Sequence, residues 1–264
     1  MYNISERSVN ILEYVVIDLE FNQPFAFSKG RKTVLVPECP FEVIQIGAVK
    51  MNADFEIIDS CSFLSKPSVY KRIHPFVKKI TGLGSESFSQ QQIFPEVYET
   101  FVEFLGNEEY VFCVWGGGDM RTLFDNIKYY KLENRLTDKY IDVQKIAGRK
   151  LETIAGNSVG LKAAVESFGL EINENFHDAL NDARYTAKIF QMLREEETVI
   201  QTYTPVEREQ NHGPDFTRLY EAAEKEFGRK ITKKERRIVR TIYMMGRAQI
   251  FDRTLGPPVI RRRP

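Results

Sequence analysis

The chain has 264 residues, 42% of them hydrophobic, which supplies one sizeable core with room for a smaller second unit. Formal charge is +0, but unevenly spread: residues 229–264 carry twelve Lys or Arg against two acids, so residues 1–228 carry −10. Met1 to Asn10 is polar, no apolar run approaches a membrane span, and Cys39, Cys61 and Cys113 lie far apart with no Cys-x-x-Cys. These features argue against a membrane protein, a disulfide framework and a zinc ribbon, and lead us to expect a soluble, cytoplasmic protein.

The first strand is expected over Tyr14-Val15-Val16-Ile17-Asp18-Leu19-Glu20-Phe21, an apolar run rich in β-branched residues. A long connection, Asn22 to Pro40, leads to a second strand from Phe41 to Val49. Asn52-Ala53-Asp54 is a turn and Phe55 to Leu64 a third strand, so the chain opens as an antiparallel meander. Pro67 to Pro75 is loop, Phe76 to Ile80 a helical turn broken by Thr81-Gly82-Leu83-Gly84, and Pro95 opens a helix ended by Gly106 and Asn107. Tyr110 to Trp115 is a short buried strand, followed by Gly116-Gly117-Gly118 and a helix from Asp119 towards Tyr130. Tyr140 to Val143 is expected as the last strand, with helices over Gln144–Arg149, Leu161–Phe168 and Asp178–Leu193. In the last of these Leu180, Ala183, Ala187 and Phe190 share a face, and the alanines permit close approach to the sheet. Thr202 to Pro214 is polar with two prolines and reads as a linker. Two amphipathic helices are expected beyond it, Asp215–Phe227 and the basic Thr232–Phe251, before an arginine-rich end, Pro257–Pro264, expected to be disordered.

Chemistry enters with Asp18 and Glu20. Two apart in a strand, they project to one face, and such a pair is most easily kept beside a cation, although the stretch by itself also fits a strand that simply ends in acids. Asp119 stands where a strand passes through a glycine turn into a helix, the edge at which α/β sheets bind ligands; a helix cap is the plain alternative. Asp182 lies on the inward side of its helix, and His177, five residues earlier, belongs at the helix start, from which it can swing towards whatever Asp182 holds.

In this order the set resembles the DEDDh group of 3′–5′ exonucleases: Val16-Ile17-Asp18-Leu19-Glu20-Phe21, Trp115-Gly116-Gly117-Gly118-Asp119 and His177-Asp178-Ala179-Leu180-Asn181-Asp182-Ala183. Glu42 to Val49 looks like the family's second strand and Thr81-Gly82-Leu83 like its substrate loop, so the resemblance runs from about Glu13 to about Leu193. Within the group it looks most like bacterial KapD-like and eukaryotic histone-mRNA 3′ exonucleases, and departs from them in the long Asn22–Pro40 connection. The resemblance implies an RNase H-like α/β fold: a mixed sheet, antiparallel in its first three strands and then parallel, flanked by helices. The expected organisation is an exonuclease domain over 1–200, a linker over 201–214 and a basic helical extension over 215–264.

By the same resemblance, Asp18, Glu20, Asp119 and Asp182 would hold two divalent ions, Mg²⁺ or Mn²⁺, whose hard character suits carboxylate oxygen. Asp18 would bridge the two ions, and Asp119 would act mainly through a coordinated water. His177 would be the general base rather than a ligand. The tyrosine-dependent subgroup does not fit, because Tyr185 follows Asp182 instead of preceding it. Leu19 and Phe21 would meet the terminal nucleotide, with Leu83 wedged against its base and Thr81 nearby; ordinary core packing is the competing reading for Phe21 and Leu83. Trp115 reads as core ahead of a stacking platform, and His74 as a solvated loop residue ahead of a phosphate contact. Asn22 and Gln23 are candidates for contacting a ribose 2′-OH. The expected partners are single-stranded RNA or DNA 3′ ends, RNA ahead of DNA, with nucleoside 5′-monophosphate as product. The basic extension has three readings: phosphate binding, packing on the body or on another copy, or a protein partner. An alternative function is a regulatory or interaction protein that uses this fold as a binding platform.

Overall fold

A computed structural model describes residues 13–24, 35–152, 158–205 and 216–239. The chain divides into two compact units, Met1–Val206 and Glu207–Pro264. The first is built on a six-stranded sheet of β1 (Glu13–Asn22), β2 (Glu42–Met51), β3 (Ile57–Leu64), β4 (Tyr110–Val114), β5 (Lys139–Asp142) and β6 (Ile200–Thr202), in the order β3-β2-β1-β4-β5-β6. β3, β2 and β1 are antiparallel, β1, β4 and β5 are parallel, and β6 returns antiparallel to β5. The expected mixed RNase H-like sheet is therefore present. Two details differ. Val143, expected to end a strand, instead opens helix α4 (Val143–Lys150), capped by Asp142, whose carboxylate accepts from the Lys145 N–H at 3.1 Å. Gln201 and Thr202, expected in a linker, pair with Tyr140 and Lys139 as the sheet's last strand. A three-residue strand, half-exposed at an edge, has too little periodicity to be read from sequence.

The remaining helices of this unit are α1 (Pro75–Thr81), α2 (Phe94–Leu105), α3 (Gly118–Tyr129), α5 (Leu161–Ser167) and α6 (Ala179–Met192). β1 is the central strand and is covered on both faces. Val15, Ile17 and Leu19 pack with Phe94, Phe101, Met120 and Leu123 of α2 and α3. Val16 turns the other way, into a cluster with Ala183, Ala187 and Phe190 of α6. Asp18 and Glu20 continue the Val16 alternation, so they face the side that α6 covers.

Gly47 sets how close α6 comes. It is the cross-strand partner of Asp18, and a Cβ added there would overlap the backbone of Ala179 and Leu180. The first turn of α6 thus rests directly on β2. The segment from Gly228 to the basic tail belongs to the second unit, in which α7 (Phe216–Phe227) is followed by α8 (233–239). The arginine-rich end and the 25–34 part of the long connection lie outside the described residues. No described helix is long and apolar enough to cross a membrane, and the three cysteines are free.

Overpacking of this kind costs about 1–3 kcal/mol, and 1 kcal/mol moves Tm by roughly 2–4 °C in a domain of this size. Gly47→Ala is therefore expected to lower the thermal midpoint by about 4–10 °C, read by circular dichroism. A midpoint within about 1 °C of the parent would show that α6 does not rest on the β2 backbone.

Candidate active site

The five predicted chemical residues converge on one cleft at the C-terminal end of β1. Asp18, Glu20, Asp119, His177 and Asp182 all line it. Glu20 and Asp182 each offer an oxygen, and His177 a ring nitrogen, that lie within 4.8 Å of one another, close enough to share an ion. Asp119 enters from the first turn of α3, just past the end of β4, and Asp182 from the first turn of α6.

The acids are held where carboxylates are unstable. Glu20, Asp119 and Asp182 are 9%, 9% and 8% exposed. Burial pushes Asp18 well above the usual carboxylate range, and the charges of Asp119, Asp182, Glu20 and Asp178 push it further. Burial, then Asp182 and Asp119, push Glu20 up to about 8. Asp119 is pushed up to about 7, mainly by burial, against the pull of the Leu19 N–H. Asp182 is pushed up to about 6 by burial, restrained by the backbone N–H and charge of His177.

Asp182 also supplies the direct sign that something belongs here. Its Oδ2 accepts from the His177 N–H at 3.1 Å, while its buried Oδ1 has no partner among the described residues. A buried, unsatisfied carboxylate oxygen is costly. Hard oxygen donors around such an atom fit a divalent cation of the Mg²⁺ or Mn²⁺ type. His177 is exposed at the cleft and adopts φ = 66°, a left-handed conformation uncommon for a residue with a side chain.

Neighbouring residues fix this geometry, and these were not singled out from sequence. Gln45, 3% exposed, is the cross-strand partner of Glu20. Its Nε2 donates to Asp178 Oδ2 at 2.9 Å, and its Oε1 accepts from the Ala179 N–H at 3.3 Å. Asp178 in turn caps α6 by accepting from the Asn181 N–H at 3.1 Å. One side chain on β2 therefore ties down the helix start that carries both His177 and Asp182.

A second clamp sets the opposite wall. Asn22 and Glu42 are cross-strand partners. The Asn22 amide donates to the Tyr70 and Arg72 carbonyls at 2.9 and 3.0 Å and accepts from the His74 N–H at 2.9 Å. The Glu42 carboxylate accepts from the backbone N–H groups of Ser68, Val69 and Tyr70. Together they hold the segment that enters α1. Asn22 is fully buried and engaged, which removes it as a 2′-OH contact; Gln23 does line the cleft.

Leu19 and Phe21 line the cleft. Thr81 and Leu83 do not. Thr81 Oγ1 donates to the Val77 carbonyl at 2.9 Å and accepts from the Leu83 N–H at 3.0 Å, finishing α1, while Leu83 packs on the small cluster of Ile44, Val77 and Phe88. The wall is made one turn earlier by Phe76, Val77 and Ile80. Phe76 remains 56% exposed beside the carboxylates. An aromatic at the first turn of a short helix gave no signal of its own in the sequence. His74, expected to be a solvated loop residue, instead caps α1, its Nδ1 accepting from the Phe76 N–H at 3.2 Å. Trp115 packs inward, and its indole N–H donates to the Val159 carbonyl at 3.1 Å.

Comparison with known proteins adds four findings. The sequence profile of the RNase_T family, described as exonuclease, matches residues 15–190. The chain is 30% identical to the DNA polymerase III subunit epsilon of Aquifex aeolicus over 189 residues, 71% of this chain and 84% of that protein. It is 21% identical to the probable 3′-5′ exonuclease KapD of Bacillus subtilis over 196 residues, 72% of this chain and 89% of that one. Among solved structures it superposes, with a TM-score of 0.61 and 18% identity, on the nuclease domain of 3′hExo, a DEDDh family member bound to rAMP. That match covers 75% of this chain and 98% of the other.

The raised carboxyls make metal-free stability depend on pH. Unfolded carboxyls titrate near ~4. Each folded value lies above that, so the associated stability is fully present below about pH 4 and is lost as pH rises through 6 to 8. In chelator, the thermal midpoint is therefore expected to fall between pH 5 and pH 8.5, and Mn²⁺ or Mg²⁺ should restore more at the higher pH. A midpoint insensitive to both pH and metal would contradict the electrostatics of the cleft.

Proposed function

The chain belongs to the RNase_T exonuclease family, and from that premise we propose that it removes nucleotides one at a time from the 3′ end of single-stranded nucleic acid, RNA ahead of DNA. One observation carries the reading: a buried carboxylate oxygen with no partner among the described residues, Asp182 Oδ1, in a cleft that also gathers Asp18, Glu20 and Asp119. The ribonucleotide named with the similar 3′hExo structure supports RNA. The polymerase subunit among the relatives keeps DNA as a second substrate.

Asp18, Glu20, Asp119 and Asp182 would hold the ions. Two divalent cations, when bound, supply charge stabilisation at the attacking and leaving oxygens of phosphodiester hydrolysis. The chain's own residues do the rest. Phe76, Val77 and Ile80 form an apolar wall for the terminal base, with Leu19 and Phe21 beneath it. His177, exposed at the cleft, takes a proton from the attacking water, the general-base role that an imidazole nitrogen can fill. The Asp182 carboxylate, bonded to the His177 backbone N–H, keeps the base at the mouth. The water oxygen bonds to phosphorus as the bond from phosphorus to the 3′ oxygen of the preceding nucleotide breaks. A nucleoside 5′-monophosphate leaves, and the shortened strand keeps a 3′ hydroxyl. The basic extension is read as a separate unit.

The test is degradation of 5′-labelled RNA and DNA oligomers with Mg²⁺ or Mn²⁺, with and without chelator. The expected result is a 3′-shortening ladder, faster on RNA, releasing 5′-monophosphates and stopped by chelator. Asp18→Ala should abolish it. His177→Ala should lower kcat by about 10²–10⁴-fold with metal affinity largely kept. Cleavage that persists in chelator, or its absence from folded protein supplied with metal, would overturn the proposal. Loss of metal affinity in His177→Ala equal to its loss of rate would make His177 a ligand.

A further inference from the structure

The family match ends at residue 190, and the second unit, Glu207–Pro264, plays no part in the chemistry above. It holds fifteen Lys or Arg against eight Asp or Glu, while Met1–Val206 is net negative. A negative catalytic unit with clustered carboxylates gives poor long-range attraction for a polyanion, so favourable charge has to come from elsewhere on the chain.

The described part of the second unit shows how cations are kept available. α8 begins with a capping box: Glu235 Oε2 accepts from the Thr232 N–H at 2.7 Å, and Thr232 Oγ1 accepts from the Glu235 N–H at 3.3 Å. Glu235 also pairs with Arg229 at 2.7 Å. Glu224 of α7 pairs with Arg236 at 3.2 Å and accepts from the Ile231 N–H at 3.2 Å, and Ile231 is buried. These contacts lock α7 to α8 and engage Glu224 and Glu235, while Glu221 and Glu226 of α7 stay exposed. Lys230, Lys233 and Lys234 are left exposed, with no ion-pair partner among the described residues. Phe227, which ends α7 a few residues earlier in the chain, is 57% exposed, its ring 5.8 Å from the Arg229 guanidinium. Exposed cations and an exposed aromatic ring on one short stretch of chain, residues 227–234, supply what single-stranded nucleic acid is held by: charge for the phosphates and a flat face for a base. An acidic protein surface would use the charge but has no need of the ring.

We propose that this second unit is an accessory single-strand site, with Lys230, Lys233 and Lys234 on the phosphates and Phe227 stacked on a base. It holds the strand whose 3′ end is being cut, and to that extent rests on the exonuclease reading.

The test uses the full chain and two variants, K230Q/K233Q/K234Q and Phe227→Ala, each checked for an unchanged melting profile. Binding of a fluorescent single-stranded 20-mer is followed by anisotropy in chelator across a salt series. The lysine variant is expected to bind about 5–10-fold more weakly near physiological salt, with the slope of log K against log salt reduced by about 2, since each lost phosphate contact removes ~0.7 for a single strand. Phe227→Ala is expected to lose about fivefold or more with the slope unchanged. KM for the 20-mer should rise in both, while hydrolysis of a dinucleotide, which has no upstream phosphates, stays at the parent rate. Unchanged affinity and slope would overturn the proposal. So would a variant that binds the 20-mer normally yet loses binding to polyglutamate, which would assign the surface to an acidic protein instead. Failure of the parent, supplied with metal, to cut both the 20-mer and the dinucleotide would remove the exonuclease reading while the anisotropy series still decides the accessory site.

Discussion

Mutual repulsion among carboxylates is the constraint on which this fold turns. Four acids share one cleft, three of them at most 9% exposed. Desolvation and like charge both oppose ionisation there, and both are relieved by divalent cations. A flexible scaffold would let the acids drift apart. The observed one does not allow that, because each acid is set on an element whose position is fixed by packing or by buried hydrogen bonds.

The fixing follows from β1 outwards. Its alternation buries Val15, Ile17 and Leu19 against α2 and α3 and turns Asp18 and Glu20 to the other face. Opposite those two, β2 places Gly47 and Gln45 in register. Gly47 lets the α6 backbone rest on the strand, and Gln45 ties its first turn through Asp178. Farther along the same pair of strands, Asn22 and Glu42 anchor the loop before α1 and so set the apolar wall. The acids and the wall facing them are thus controlled by successive rungs of one two-stranded ladder. The left-handed backbone of His177 is held within this frame, where Asp182 binds its N–H.

The four acids of the cleft were legible in sequence because their placement follows local rules. A period of two puts Asp18 and Glu20 on one face, a glycine turn opens a helix at Asp119, and an alanine-rich helix face turns Asp182 inward. The supporting residues obey no local rule. Gln45 and Asp178 are 133 residues apart, and Asn22 reaches His74 across 52, so only the folded chain brings them together. Asn22 looked available for a ribose hydroxyl because burial cannot be read from one residue type. Leu83 was open between a wedge and core packing because its place in a loop motif says nothing of the cluster with Ile44 and Phe88 against which it packs. β6 was missed because three half-exposed residues carry almost no pattern.

The most direct test of the central claim is calorimetric titration of the metal-free chain with Mn²⁺ at pH 7 in two buffers of different ionisation heat. The difference gives the protons released on binding. Glu20 at about 8 and Asp119 at about 7, both raised chiefly by burial, predict saturable binding with release of on the order of one proton at that pH. Binding without proton release, or no binding by folded protein, would contradict the picture of carboxylates held together in wait for cations.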